Sequence, residues 1–223
     1  MPKVTLKLRK KTSARSKTQQ AYIAIKDMIL RLDLLPGFRV REDELEVRLR
    51  IGRTPLREAL QRLSHEGFLQ IFPRRLIVVA KFGIEEVRQV HEARSLLEPA
   101  AAGLAARYFT HASDADVHAL EGHKMNEHSL VNVADFLARN LAFHQSVARL
   151  AGNVFLQDDI EHVLTLNHWL WNLSYRARGI RQVYPPDHNP VIEAIRNGDI
   201  PAAEEAMRQD VFSSRADLLP GLR

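Results

Sequence analysis

The sequence predicts a mainly α protein in two parts, a small basic one followed by a larger acidic helical one, and three observations carry the prediction. Charge divides unevenly: residues 1–81 hold 19 lysines and arginines against 8 acidic side chains, a net of +11, whereas residues 82–223 hold 13 against 19, a net of −6. Apolar residues recur at helical spacing along most of the chain. Only "FLQIF" and "LIVVA" read as strands, and both lie in the basic part. A content of 45% hydrophobic and 26% charged residues is ordinary for a chain that folds. No apolar stretch approaches the roughly 20 residues of a membrane span, so the expectation is a soluble, cytoplasmic protein with no membrane contact. The absence of cysteine excludes disulfides, thiolate metal sites and cysteine nucleophiles, and any metal must be held by nitrogen and oxygen.

In chain order, residues 1–17 carry seven basic and no acidic side chains with too little apolar periodicity to pack, which predicts a flexible basic arm. A helix over residues 18–32 follows, with Tyr22, Ile25, Ile29 and Leu32 on one face. Pro36-Gly37 ends it in a turn. A short helix over residues 42–50 turns Leu45 and Leu49 inward and stops at Ile51-Gly52. In "GRTPLREALQRLSHEGFL", residues 52–69, Thr54 suits the N-cap, Pro55 the first helical position, and Leu56, Ala59, Leu60 and Leu63 the buried stripe. That stripe turns Arg53, Arg57 and Gln61 outward beside a helix N-terminus, whose free N–H groups and dipole favour anions.

The two strands come next, joined by "PRR" with Arg74 and Arg75 at the tip. Three helices and a basic hairpin make a winged helix-turn-helix over residues 18–81. The second helix of such a pair enters the major groove of double-stranded DNA, where arginine bonds guanine edges bidentately. Arg57 is the expected base reader, and Arg53, Thr54 and Gln61 belong to the same face. Arg74 and Arg75 on the wing reach phosphates or the adjacent minor groove. The competing arrangement is surface ion pairing of these arginines, with Glu58 or Glu66.

From Gly83 onward the pattern is helical, with no convincing strand, and six helices are expected near 84–109, 113–130, 133–151, 153–177, 185–197 and 201–217. Ser113 and Asp116 have capping-box spacing, while Gly152-Asn153, Pro185-Pro186 and Gly198 punctuate the others. An all-α bundle over residues 82–223 results. Polar residues fall on its inward stripes. Arg94 lies between Val90 and Leu97, and a buried guanidinium needs an anion, either Glu98 one turn on or a ligand carboxylate. Asn140 and His144 are one turn apart and both point inward, the spacing that lets two side chains share one ion. His188 opens "HNPVIEAIRNGD", and Asp210 lies on the stripe with Ala203 and Ser214. The other histidines, His123 among them, show no comparable spacing, and Trp169, Trp171 and Tyr175 are expected in the core or lining a pocket.

The run "PGFRVREDELEVRLRIGRTPLREALQRLSHEGFL" followed by "PRRLIVVA" resembles the DNA-binding domain of the GntR family of bacterial regulators. The family's DNA-contacting positions match at Arg53, Thr54, Arg57 and the wing. Gly52 stands where the family usually has Ser or Thr, and Arg75-Leu76 where a wing glycine is common. Placed after such a domain, the helical part resembles the FCD effector domain of the FadR subfamily, and six helices suit its VanR-like branch. Many FCD domains hold a divalent metal with an Asp and a His in "DxxFH", a His opening a later helix and a His in the last helix. "NLAFH" and "MRQD" match with Asn140 in place of the Asp, His144 and His188 in place, and Asp210 in place of the last His.

Two imidazoles, a carboxylate and an amide suit Zn²⁺, Ni²⁺ or Mn²⁺; the alternative is a metal-free pocket whose polar groups bond each other and a ligand. The resemblance implies a homodimeric transcriptional regulator on palindromic operator DNA, with a small carboxylate effector held by Arg94, by the metal, or by both. It is not expected to be an enzyme. A metal-dependent hydrolase would need a general base beside a metal-bound water, and neither HExxH nor a comparable acid is present. An architectural DNA-binding protein would bind without regard to sequence and ignore small molecules.

Overall fold

The computed structural model describes residues 16–124 and 129–218. The expected basic arm lies almost wholly outside the described residues, Lys17 being the first residue of the first helix. Two compact units divide them, one of residues 16–29 and 33–80, the other of residues 30–32 and 81–218.

The first unit contains α1 (Lys17–Leu30), β1 (Arg39–Val40), α2 (Glu42–Leu49), α3 (Arg53–His65), β2 (Leu69–Phe72) and β3 (Leu76–Val79). Ala21, Ile25 and Ile29 of α1 and Leu56, Ala59, Leu60 and Leu63 of α3 are almost wholly shielded from solvent, as the helical spacing requires. The antiparallel hairpin pairs Leu69 with Val79 and Phe72 with Leu76. Beyond the expected hairpin, β1 adds a third strand against β3, pairing Arg39 with Val78. Two residues are too few to show an alternation in sequence.

Two local expectations are corrected. Gly52, not Thr54, is the N-cap of α3, its extended backbone (φ −69°, ψ 166°) offering the carbonyl that accepts Leu56 N–H at 3.2 Å. Pro55 falls in the third helical position, where the N–H it lacks has no intrahelical partner in any case. At the wing tip the short turn Pro73–Arg75 places Arg74 at φ 63°, ψ 25°, a left-handed conformation, costly for any residue with a Cβ. The side chain of Arg75 lies outside the described set.

The second unit holds six helices: α4 (Ile84–Tyr108), α5 (Asp114–Glu121), α6 (Val133–Leu150), α7 (Val154–Ala177), α8 (Asn189–Arg196) and α9 (Ile200–Leu218). Its core joins Ala102, Ala105 and Ala106 of α4 to Phe143 and Val147 of α6, Ile192 and Ile195 of α8, and Met207 and Val211 of α9. α4 is the central element, packed against α6, α7, α8 and α9. The second helix is shorter than expected. Its start is the anticipated Ser113 cap, whose hydroxyl accepts Asp116 N–H at 3.2 Å, but Leu120 is its one buried residue and "GHK" beyond Glu121 offers no apolar stripe to continue it. The expectation of no strand after Gly83 is also corrected: β4 (Val131–Asn132) pairs antiparallel with β5 (Gln182–Val183), again too short for periodicity to register.

Candidate nucleic-acid interface and candidate metal centre

In the first unit, the buried stripe of α3 leaves Arg53, Thr54 and Gln61 exposed and Arg57 half-buried. Arg57 is held by α2: its Nε and Nη2 each lie 2.9 Å from Glu42 Oε2. Arg53 Nε lies 3.1 Å from Glu46 Oε1. Ion pairs therefore exist, but with Glu42 and Glu46 in place of the anticipated partners. Glu58 accepts the Thr18 hydroxyl at 2.7 Å, and Glu66 is taken by Tyr22, Lys26 and Arg62. Both recognition-face pairs are exposed enough for water to weaken them, so neither fixes the arginines against a stronger anion. Arg74 is exposed at the wing tip.

In the second unit, His144, His188 and Asp210 converge from α6, the start of α8 and α9, and offer ligand atoms that all lie within 4.8 Å of one another. His144 Nε2 is 3.4 Å from Asp210 Oδ2, and His188 Nε2 is 3.5 Å from Asp210 Oδ1. Phe143 fixes the His188 ring by stacking on it at 3.8 Å between centroids. Behind the group, Glu98 Oε2 lies 2.5 Å from His144 Nδ1, and Glu98 Oε1 takes Arg94 Nε at 2.5 Å. Arg94 also donates through Nη1 to Ser214 Oγ at 3.3 Å. Glu98 is thus the internal partner that the Arg94 stripe called for, and it orients His144 with Nε2 toward the centre, as a carboxylate behind a metal-ligating histidine does.

Electrostatics agree with that layout. Burial alone would raise the Glu98 carboxyl, but Arg94 and then His144 beside it hold it down at about 2. Burial, reinforced by the neighbouring His144 and His123, pushes His188 down to about 2, leaving a neutral imidazole. Burial raises Asp210 against the pull of His144 and Arg94. His188 Nε2 is buried without a hydrogen bond. A lone pair kept neutral, unbonded and aimed at a second imidazole and a carboxylate fits a divalent cation.

Two cavities flank this group. The inner one, named for its place against His144 and Asp210, is lined by Asn140, His144, Asp210 and Ser214 with the aromatic faces of Trp171 and Tyr175. The outer one, on the far side of Asn140 from Asp210, is lined by His123, Lys124, Arg139, Asn140 and His188 among others. Asn140, Phe136 and Pro186 line both. The four expected ligand positions therefore share one region. Arg94 stands one residue back, behind Ser214. Trp171 and Tyr175 line the pocket and Trp169 is fully buried, edge-on to Phe82. His123 is the histidine that spacing passed over: it follows a helix end, so no period points to it.

Comparison with known proteins fits this architecture. Residues 17–79 match the gntR family of bacterial regulatory proteins and residues 89–211 match the FCD domain. The chain is 26% identical over 198 residues to an HTH-type transcriptional regulator in an unstable DNA locus of Streptomyces ambofaciens, covering 88% of this chain and 83% of the relative. It is 27% identical over 194 residues to the HTH-type transcriptional repressor RspR of Escherichia coli K12, covering 86% of this chain and 84% of the relative. Among solved structures, E. coli McbR/YncC superposes with a TM-score of 0.71 at 19% identity, over 92% of this chain and 98% of that one. No helix among the described residues is long and apolar enough to cross a membrane. With both parts of the chain matched, the protein belongs to the gntR family of bacterial regulators and is a DNA-binding transcriptional regulator, not an enzyme, whose C-terminal part is an FCD effector domain.

Proposed function

We propose that the protein acts in the cytoplasm as a homodimer on a palindromic operator, and that a small organic acid bound in the helical unit changes its affinity for that operator. The observation that carries the effector half of the reading is the convergence of His144, His188 and Asp210 beside a cavity lined by Asn140. Those residues would hold Zn²⁺, Ni²⁺ or Mn²⁺. A bound divalent ion offers a Lewis-acidic position for an effector carboxylate oxygen. Arg94, its charge taken up by Glu98, holds Ser214 at the cavity wall, Glu98 keeps the His144 ring turned, and the aromatic faces of the inner cavity receive the effector's body. An effector shifts operator affinity only by binding two arrangements of the dimer unequally.

Elemental analysis of protein purified without a metal-affinity column tests the centre. About one divalent ion per chain is expected, lost in both His144→Ala and His188→Ala and retained in Arg139→Gln. An ion content that the two histidine variants leave unchanged would reassign it to another site.

On the DNA side, the reading gives base contacts to Arg57, supported by Arg53, Thr54 and Gln61, and phosphate or minor-groove contacts to Arg74 and Arg75. Selection from random duplexes should return a palindrome whose half-sites lie about one or a whole number of helical turns apart. The left-handed backbone at Arg74 gives a clean variant. Arg74→Gly suits the turn, so thermal stability should hold or rise by up to about 1–2 kcal/mol, while the slope of log affinity against log salt falls by about 1. An unchanged slope would remove Arg74 from the DNA contacts.

A further inference from the structure

His123, Lys124 and Arg139 line the outer cavity together with Asn140 and His188, and among the described residues no carboxylate lines it. Elsewhere in the same unit Arg88, Arg149, Arg196 and Arg208 each have a carboxylate within 4.0 Å. Lys124 and Arg139 have no ion-pair partner among the described residues. Burial holds the His123 imidazole toward its neutral form, so the positive charge at this cavity comes from Lys124 and Arg139. Among the described residues the His123 Nε2 meets the Ser146 hydroxyl, at 3.4 Å, and that hydroxyl donates to the Ala142 carbonyl. A concave space with two cationic side chains and no counter-charge among the described residues of its lining is complementary to an anion.

Asn140 determines how this space relates to the centre beside it. It lines both cavities, with Phe136 and Pro186, so a ligand seated at His144, His188 and Asp210 can extend past the Asn140 amide without leaving the protein. We propose that the outer cavity is a subsite for a second anionic group, and that the effector is an acid carrying two negative groups, one at the histidine–aspartate centre and the other between Lys124 and Arg139. This rests on the effector reading above. It narrows the ligand class to dicarboxylates or phosphorylated carboxylates, and it assigns Lys124 and Arg139 to specificity, while the centre supplies the binding common to all acids.

Calorimetric titration of the full chain with matched pairs of acids tests it: straight-chain monocarboxylates and dicarboxylates of three to seven carbons, together with phosphoglycolate and 3-phosphoglycerate. A doubly anionic member is expected to bind at least ~tenfold more tightly than the monocarboxylate of equal length, the scale of one charge-assisted contact. In Lys124→Gln and Arg139→Gln that advantage should shrink several-fold with monocarboxylate affinity unchanged. Neither side chain is buried, so the thermal midpoint should also hold. A phosphorylated acid outranking every dicarboxylate would assign the outer group as phosphate. Equal affinity for the two members of each pair, or variants that weaken both alike, would overturn the subsite and leave the effector reading standing. Failure of the whole panel to bind would overturn both.

Discussion

Replacing Glu98 with alanine is expected to destabilise the protein by about 3–5 kcal/mol, a large share of the roughly 5–15 kcal/mol that holds a domain folded. The side chain is 3% exposed and its carboxylate lies 2.5 Å from both Arg94 and His144. Removing it leaves a guanidinium that is 1% exposed with the Ser214 hydroxyl as its remaining hydrogen bond among the described residues. Two charges taken out of water together offset much of each other's desolvation, whereas one taken out alone does not. Urea unfolding should show a midpoint well below that of the unaltered protein. The double variant Arg94→Leu with Glu98→Leu should recover most of the loss, because apolar side chains of similar volume have no charge to desolvate. A single variant as stable as the original would mean that Arg94 finds its counter-charge elsewhere.

Arg57→Ala is expected to lower operator affinity by about 1–3 kcal/mol, roughly 5- to 150-fold, and to relax sequence preference at one position of each half-site. Fold and thermal midpoint should survive, since Arg57 lies outside the Leu56, Ala59, Leu60 and Leu63 stripe. Fluorescence anisotropy with the selected operator and with a scrambled duplex separates the possibilities. Loss on the operator alone identifies a base contact. Equal loss on both would make Arg57 a phosphate contact and move the reading of sequence to Arg53 or Gln61.

What sequence made legible follows from length and period. Helices of 13 to 25 residues, such as α3, α4, α6 and α7, repeat their apolar stripe often enough to be read, and the hairpin carried two four-residue strands. β1, β4 and β5 have two residues each, and α5 has one buried anchor, so no pattern could accumulate. The same logic covers the candidate centre. Asn140 and His144 were visible through their one-turn spacing, Asp210 through an inward stripe, and His188 through its place at the opening of a helix together with family likeness. The Glu98 contact to His144 joins two helices and has no signature along either. His123 sits after the end of α5, where its position depends on how the chain turns. The Thr54 cap was misread for a subtler reason: threonine is the better capping side chain, but the extended backbone at Gly52 offered the carbonyl that Leu56 bonds.

The pairing of Arg57 with Glu42 and of Arg53 with Glu46 bears on time as well as affinity. A bacterial chromosome presents a vast excess of incorrect duplex, and every cation offered freely to phosphate lengthens each futile stop. Arginines with a glutamate alongside gain less on a random duplex than bare ones would, because they exchange a carboxylate for a phosphate. On the operator the proposed base contacts would add the directional bonds of a guanine edge. Acidic side chains beside the proposed reading face would therefore shorten residence on wrong addresses more than on the right one, and the very charges that oppose DNA would quicken the search for the operator.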